Sequence, residues 1–287
     1  MEQLINILVT VMLIVMMAAI GLRVQFSDLI GIVKNWRLMV QAVLANYVCV
    51  PVAAVALLLL FGAQSTVAAG FLILAVCPGA PFGPSCVALA RGNVPAAVGL
   101  MTVLAGSSAI IAPLLLQFLL PLMAGNDTLR IDAAKIVKVL LITQLCPLFV
   151  GLAIKHRWGR LADILQKPAD RLSTGLSLVT ISVILFAHFN LLVEIPLRAY
   201  LGMAALLIAS WIAGWLFGGR GQDNRKTMAI TTALRNVGVG LVIATGNFAG
   251  TPAVTATLAY GLFEIFGTIL LALWWARRAQ ALIIAKS

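Results

Sequence analysis

Residues 77–86 have the sequence CPGAPFGPSC, in the middle of a stretch that is otherwise apolar enough to cross a membrane. Its three prolines each lack a backbone N–H donor and its two glycines lower helix stability, so the stretch cannot form one continuous helix. Non-helical backbone at membrane depth is tolerated only where protein or a water-filled cavity satisfies its polar groups. The residues after Pro84 predict a short half-helix whose N-terminus points back toward the membrane centre, which favours an anion. A proline kink that serves only packing is the alternative.

The composition of the whole chain is that of a multi-pass membrane protein. Of its 287 residues, 62% are hydrophobic and only 10% are charged, and the mean hydropathy is +1.07. A helix needs about 20 apolar residues to cross the hydrocarbon region of a bilayer. The sequence therefore predicts an all-α membrane protein with about nine transmembrane helices, near residues 3–22, 39–61, 67–92, 94–123, 135–154, 173–193, 199–218, 227–248 and 253–276.

A second predicted span, 227–248, is also interrupted, here by residues 231–240 with the sequence TTALRNVGVG. This segment places Arg235 at membrane depth, where insertion of an arginine costs roughly 2.5–3.5 kcal/mol, so Arg235 is a candidate functional residue. Interrupted helices at corresponding places in two halves of a chain indicate a transporter binding site.

The basic residues predict the orientation of the chain in the membrane. We divide the chain into a first half, residues 1–154, a basic cytoplasmic loop, 155–172, and a second half, 173–287. This division indicates an inverted repeat that lacks one helix in its first half. With the N-terminus outside, fifteen of the 20 Lys and Arg residues lie on the cytoplasmic side, and the C-terminus is cytoplasmic. The net charge of +11 follows from this topology and does not indicate nucleic-acid binding, because the basic residues are spread over separate loops.

Several motifs resemble those of the bile acid:sodium symporter family, and they extend over nearly the whole chain. They are Gly21-Leu22 with Ser27-Asp28, Pro51, Cys77-Pro78-Gly79, Leu89-Ala90-Arg91-Gly92-Asn93-Val94, Pro113, and Arg235-Asn236-Val237-Gly238 followed by Phe248 and Pro252. The resemblance implies two bundles, a panel domain and a core domain, with two broken helices that cross in the core and a substrate held between the domains. It also implies that this chain begins at the second helix of ten-helix members.

The departures from the family pattern concern the sodium site. Sodium-coupled members resemble one another in a Ser-Asn pair in the first break, a Ser and a Thr in the next helix, a Gln in an early helix and a Glu-x-x-x-Gln pair in the second break. At the corresponding positions this sequence has Gly83-Pro84, Ala97 with Met101, Asn46, and Thr231 with Arg235. Hard cations need several oxygen ligands, whereas a guanidinium has five donors and no acceptor. The usual sodium site is therefore predicted to be lost.

We expect Arg235 to replace the missing sodium as a fixed positive charge that attracts an organic anion. Glu264, near the middle of the last span, either forms an ion pair with Arg235 or titrates and carries a proton; simple mutual neutralisation is the alternative. No metal ligand set or cofactor is predicted, and the four cysteines are interpreted as packing residues. The predicted substrate-binding residues are Arg235, Asn236, Thr231, Thr232, Pro81, Gly83 and Asn46.

These features predict a secondary transporter of the cell membrane that moves a small amphipathic organic anion by alternating access and is not coupled to sodium in the usual way. One alternative is a sodium symporter whose ion site is rebuilt from backbone carbonyls and Asn46. Others are a non-transporting receptor of the same fold and the arsenite-permease branch of the superfamily, which would use Cys77 and Cys86. An enzyme is not predicted, because the sequence shows no metal-ligand cluster, Ser/His/Asp set or nucleotide-binding loop. Substrate identity, direction of transport and oligomeric state do not follow from the sequence.

Overall fold

The computed structural model describes residues 2–123, 129, 131–190 and 195–284, and these residues form helices with no strand. In chain order the helices are α1 (Glu2–Arg23), α2 (Phe26–Lys34), α3 (Trp36–Leu60), α4 (Ser65–Ala75), α5 (Gly83–Leu89), α6 (Val94–Met123), α7 (Ala133–Arg157), α8 (Gly159–Ala187), α9 (Leu197–Phe217), α10 (Gln222–Ala233), α11 (Val237–Asn247) and α12 (Pro252–Ile284). Helices α3 and α7 each contain one π-helical turn, at Ala45–Cys49 and Leu141–Leu145.

Seven of the described helices, α1, α3, α6, α7, α8, α9 and α12, are long and apolar enough to cross a membrane, so the chain is a multi-pass membrane protein. The two spans predicted to be interrupted are each divided into a pair of shorter helices. Non-helical residues 76–82 separate α4 from α5, and residues 234–236 separate α10 from α11. The first break follows from its prolines, whereas the second contains none, so helix-breaking residues alone do not explain it.

Small residues allow close approach of the helices in the most extensive contacts. Helix α1 packs along α7 and α8. Where α1 meets α7, a Cβ atom added to Gly21 would lie 2.9 Å from Gly151 Cα and 2.8 Å from Leu152 N. Gly70 at the α4–α12 contact and Gly214 at the α9–α10 contact face a neighbouring backbone in the same way. This is the packing that membrane helices use, because lipid supplies no hydrophobic force between them.

The segment 155–172 differs from the loop expected from its charge. Helix α7 continues to Arg157 and α8 begins at Gly159, so only Trp158 lies between two helices. Within α8, apolar residues recur at three- and four-residue spacings among the charged ones, a pattern typical of an amphipathic helix. The ion pair between Arg23 and Asp170 connects this part of α8 to the end of α1.

Gly21→Ala should lower the stability of the protein, because the added methyl group would overlap backbone atoms of α7 that cannot move independently. We expect a loss of about 1–3 kcal/mol, the usual cost of overpacking, seen as a lower apparent melting temperature of the detergent-purified protein. Gly31→Ala on α2 is the matched control, since nothing lies within 4 Å of a Cβ there. Equal melting temperatures for the two variants would contradict the close packing of α1 on α7.

Candidate functional site

The two interrupted spans cross at their non-helical segments. Pro78 and Arg235 form an antiparallel bridge, and the backbone N–H of Asn236 donates to the carbonyl of Cys77 at 2.7 Å. The Asn236 side-chain amide also donates to the carbonyl of Gly79 at 3.4 Å. Each segment therefore satisfies part of the hydrogen bonding of the other, as non-helical backbone at membrane depth requires.

Two residues at the crossing have local roles that their types explain. Gly79 has a φ of +90°, and a Cβ atom there would lie 2.7 Å from Ala105 Cα on α6, so only glycine fits. Asn236 is the N-cap of α11, because its Oδ1 accepts from the backbone N–H of Val239 at 3.2 Å. Its side chain therefore joins the start of α11 to the segment between α4 and α5.

Arg235 lies in the crossing with only 1% of its surface exposed. Its Nη2 donates to the carbonyl of Thr232 at 2.6 Å, whereas Nε and Nη1 have no hydrogen-bond partner among the described residues. A buried guanidinium with two unused donor groups can bind an anion without first losing a protein partner.

Glu264 of α12 is fully buried beside this crossing. Its Oε1 accepts from the backbone N–H of Arg235 at 2.6 Å, so the carboxylate contacts the backbone of Arg235 and not its guanidinium. No carboxylate oxygen of the described residues lies within 4.0 Å of that guanidinium. Glu264 Oε2 has no hydrogen-bond partner in the same set of residues, so this oxygen can take up a proton or accept a hydrogen bond from another group.

Asn46 connects α3 to the second break. It lies in the π-helical turn Ala45–Cys49, and its Nδ2 donates to the carbonyl of Ala42 at 2.9 Å and to Thr232 Oγ1 at 3.4 Å. Its Oδ1 has no partner within the described chain. π-Helical turns are often found at functional sites, because they rotate a side chain out of the regular helical register.

Thr231, Gly83 and Pro81 form a second group beside the crossing. The Thr231 hydroxyl donates to the carbonyl of Thr227 at 2.8 Å, and a Cβ atom on Gly83 would lie 3.8 Å from the Thr231 methyl group. Pro81 lines a cavity of about 160 Å³ between α1, α5 and α8. Among the predicted site residues, Pro81 is the only one that lines this cavity; the others are packed deeper.

Sequence reasoning missed the polar residues that line this cavity and, apart from Glu264, the polar stripe on α12. Both could have been found from helical spacing, because their members recur three or four positions apart on one face. The cavity residues from α8 are Asp170, Ser173, Thr174 and Ser177. The residues of the α12 stripe, all buried, are Thr257, Tyr260, Glu264 and Thr268.

A helical membrane protein in which two interrupted spans cross and share backbone hydrogen bonds has the architecture of a secondary transporter. Residues 10–195 match the Sodium Bile acid symporter family, and the chain belongs to that family. Membership of this family makes the protein a membrane transporter and not an enzyme, as the sequence predicted.

The curated relatives are distant in sequence but similar over most of this chain. It is 25% identical to a protein of Bacillus subtilis named an uncharacterized sodium-dependent transporter, YocS, over 95% of this chain and 84% of YocS. It is 24% identical to the probable sodium/metabolite cotransporter BASS1, chloroplastic, of Arabidopsis thaliana, over 91% of this chain and 65% of that protein. For the probable sodium/metabolite cotransporter BASS3, chloroplastic, of Oryza sativa subsp. japonica, the identity is 22% over 90% of this chain and 61% of the relative. The chain thus spans less than two thirds of these chloroplastic proteins.

Asn236→Ala should destabilise the protein by about 1–2 kcal/mol, because it removes the N-cap of α11 together with the side-chain bond to the first break. The decrease would appear in the apparent melting temperature of the purified protein. The matched control is Asn247→Ala at the other end of α11, where the amide bonds only to the Ile243 carbonyl of its own helix. Equal melting temperatures for the two variants would contradict the role of Asn236 in stabilising the crossing.

Proposed function

We propose that the protein moves a small amphipathic organic anion across the cell membrane by alternating access between two helical bundles. In this proposal the two broken pairs each count as one pass, which with the seven long helices makes nine. Helices α1, α7 and α8 form the panel bundle and the remaining helices form the core. The packing of α1 along α7 and α8 supports this division, as does the cavity of about 160 Å³ where α1 and α8 face α5.

The proposal rests mainly on the Arg235 guanidinium and its missing partners. It is buried at the crossing, two of its nitrogen atoms have no partner among the described residues, and no carboxylate there lies close enough to form an ion pair. Its positive charge is therefore neutralised incompletely by the protein. An organic anion that enters between the bundles supplies the missing charge, with Asn236, Thr231, Thr232, Gly83 and Asn46 packed around the same crossing.

Two cavities at opposite ends of α1 support alternating access. One, of about 160 Å³, lies at Met16–Arg23 of α1, and the other, of about 300 Å³, contains Asn6 and Thr10 near the start of the helix. Between them a Cβ atom on Gly238 would lie 2.7 Å from Met16 Cε, so the side chain of Met16 closes the space between α1 and α11. In the proposed orientation, with the N-terminus outside, the larger cavity opens to the exterior and the smaller one to the cytoplasm.

A sodium-dependent symporter is the second candidate, favoured by two unused oxygen atoms at the crossing. Asn46 Oδ1 and Glu264 Oε2 are both buried without a partner in the described residues, and oxygen atoms are the ligands that hard cations require. The relatives named above are called sodium-dependent or sodium/metabolite transporters. The adjacent guanidinium would repel a cation, however, and for that reason we prefer the fixed-charge proposal.

Arg235→Gln should abolish the stabilisation of the purified protein by organic anions. A ligand at about 100 times its dissociation constant stabilises the folded state by about 2.7 kcal/mol, which is measurable as a thermal shift. We expect the wild type to be stabilised equally in matched sodium and potassium buffers, and the Arg235→Gln variant in neither. Arg220→Gln, which removes an exposed charge before α10, should behave as the wild type.

A requirement for sodium in this experiment would overturn the fixed-charge proposal and favour the symporter. Retention of anion-induced stabilisation by Arg235→Gln, in either salt, would remove Arg235 from the anion site.

Glu264→Gln tests the proposed role of this carboxyl group in coupling. Glutamine can still accept the backbone N–H of Arg235 but cannot release a proton, so the crossing should persist while proton coupling is lost. We expect uptake of the organic anion into proteoliposomes to rise with an inward proton gradient for the wild type. For the variant, uptake should not depend on the gradient. Uptake that keeps the same dependence on the gradient after the substitution would exclude Glu264 as the proton carrier.

A further inference from the structure

A cavity of about 380 Å³ lies away from the space between α1, α5 and α8. Its walls come from the α3–α4 connection, from α4, from residues 195–196 with the start of α9, and from the start of α12; α1, α7 and α8 contribute none of the described residues that line it. The walls are mainly apolar, with Phe61, Phe71 and Met203 among them. In volume and composition it is a typical small-molecule site.

The electrostatics of this cavity favour an anion. Three helices begin at its wall: α4 after Gln64, α9 after Pro196, and α12 at Pro252. The N-terminal N–H groups of α9 have no side-chain cap, so the positive end of this helix dipole is available to a ligand. Arg198 also lines the cavity, and none of the described residues that line the cavity is acidic.

An unused hydroxyl group in the wall is the second, independent sign of a ligand. Thr255 is only 4% exposed, lines the cavity, and its Oγ1 has no hydrogen-bond partner among the described residues. Two positions later, the Thr257 hydroxyl donates both to Ala253 of its own helix and to the Gly70 carbonyl of α4. A buried hydroxyl without a partner is costly, so the contrast indicates that Thr255 is reserved for a bound polar group.

We propose that this cavity is a second binding site, separate from the transport path, for an anion with a single acidic head and an aliphatic body. The head lies between Arg198, the Thr255 hydroxyl and the start of α9. The aliphatic body fills the apolar part lined by Phe61, Phe71 and Met203. A free fatty acid and an acidic phospholipid share this chemistry.

Decanoate is the probe that tests the site, with binding to the purified protein in uncharged detergent measured by calorimetry. Arg198→Gln should weaken binding about tenfold or more, as expected for loss of a charge-assisted hydrogen bond. Ala199→Phe should abolish it by filling the cavity, and Thr255→Val should weaken it by a smaller factor with little change in shape. Decanol, which lacks the charge, should bind the wild type no better than it binds Arg198→Gln.

Three control variants separate this site from others. Lys138→Gln removes an exposed basic group of α7, and Leu201→Phe adds an aromatic ring on a residue of α9 that is 56% exposed. Arg235→Gln removes the anion site proposed at the crossing, so decanoate that still binds this variant is bound in the cavity. The first two variants should bind decanoate as the wild type does, and Arg235→Gln should keep the binding that depends on Arg198. Loss of all binding in Arg235→Gln, or unchanged binding in both Arg198→Gln and Ala199→Phe, would overturn the proposal.

The source of the anion is determined in nanodiscs. If phosphatidylglycerol, compared with phosphatidylcholine alone, weakens decanoate binding to the wild type, the site takes an acidic lipid from the bilayer. If the two lipid compositions give the same affinity, the ligand is a free organic anion. The dependence on Arg198 is required in both cases, and its absence in both would exclude the site.

Discussion

The structure depends on one constraint: backbone that is not helical must still make its hydrogen bonds at membrane depth. The breaks between α4 and α5 and between α10 and α11 meet this constraint together, because the Asn236 N–H donates to the Cys77 carbonyl and its side chain donates to Gly79. Either break alone would need water to reach its polar groups at this depth. The requirement fixes the two broken spans across each other, and the other helices pack around that crossing.

The same constraint connects the buried charges to the backbone. Glu264 accepts the N–H of Arg235, so a carboxylate from α12 completes the hydrogen bonding of the second break. The guanidinium in turn donates to Thr232, the residue whose hydroxyl accepts from Asn46. Glu264, Arg235, Thr232 and Asn46 therefore form one hydrogen-bond network that connects the crossing to α3. A change in the protonation of Glu264 would alter its hydrogen bond with the Arg235 N–H, which supports the crossing.

Sequence reasoning located the breaks but not their partners. The prolines and glycines of 77–86 prevent this segment from forming a helix, and this can be predicted from the local sequence alone. Which carbonyl Asn236 meets, and that Glu264 contacts the backbone of Arg235 instead of its guanidinium, depend on how distant spans pack, and no spacing contains that information. The helical structure of most of 155–172 was missed for a different reason. Its charged residues lower the mean hydropathy of the segment, although its apolar positions follow helical spacing.

The chemistry of the helix contacts differs between the inside of the proposed bundles and the surface between them. Within the panel, Gly21 of α1 faces the backbone of α7 so closely that no side chain fits. Such a contact fixes the position of α1 along α7. Between the bundles, the contact of α1 with Gly238 of α11 is made by the flexible ends of Met12 and Met16. Methionine adapts to a shifted partner at low cost. A protein that moves one bundle past the other needs rigid contacts within each bundle and adaptable contacts between them, and these residues are distributed in that way.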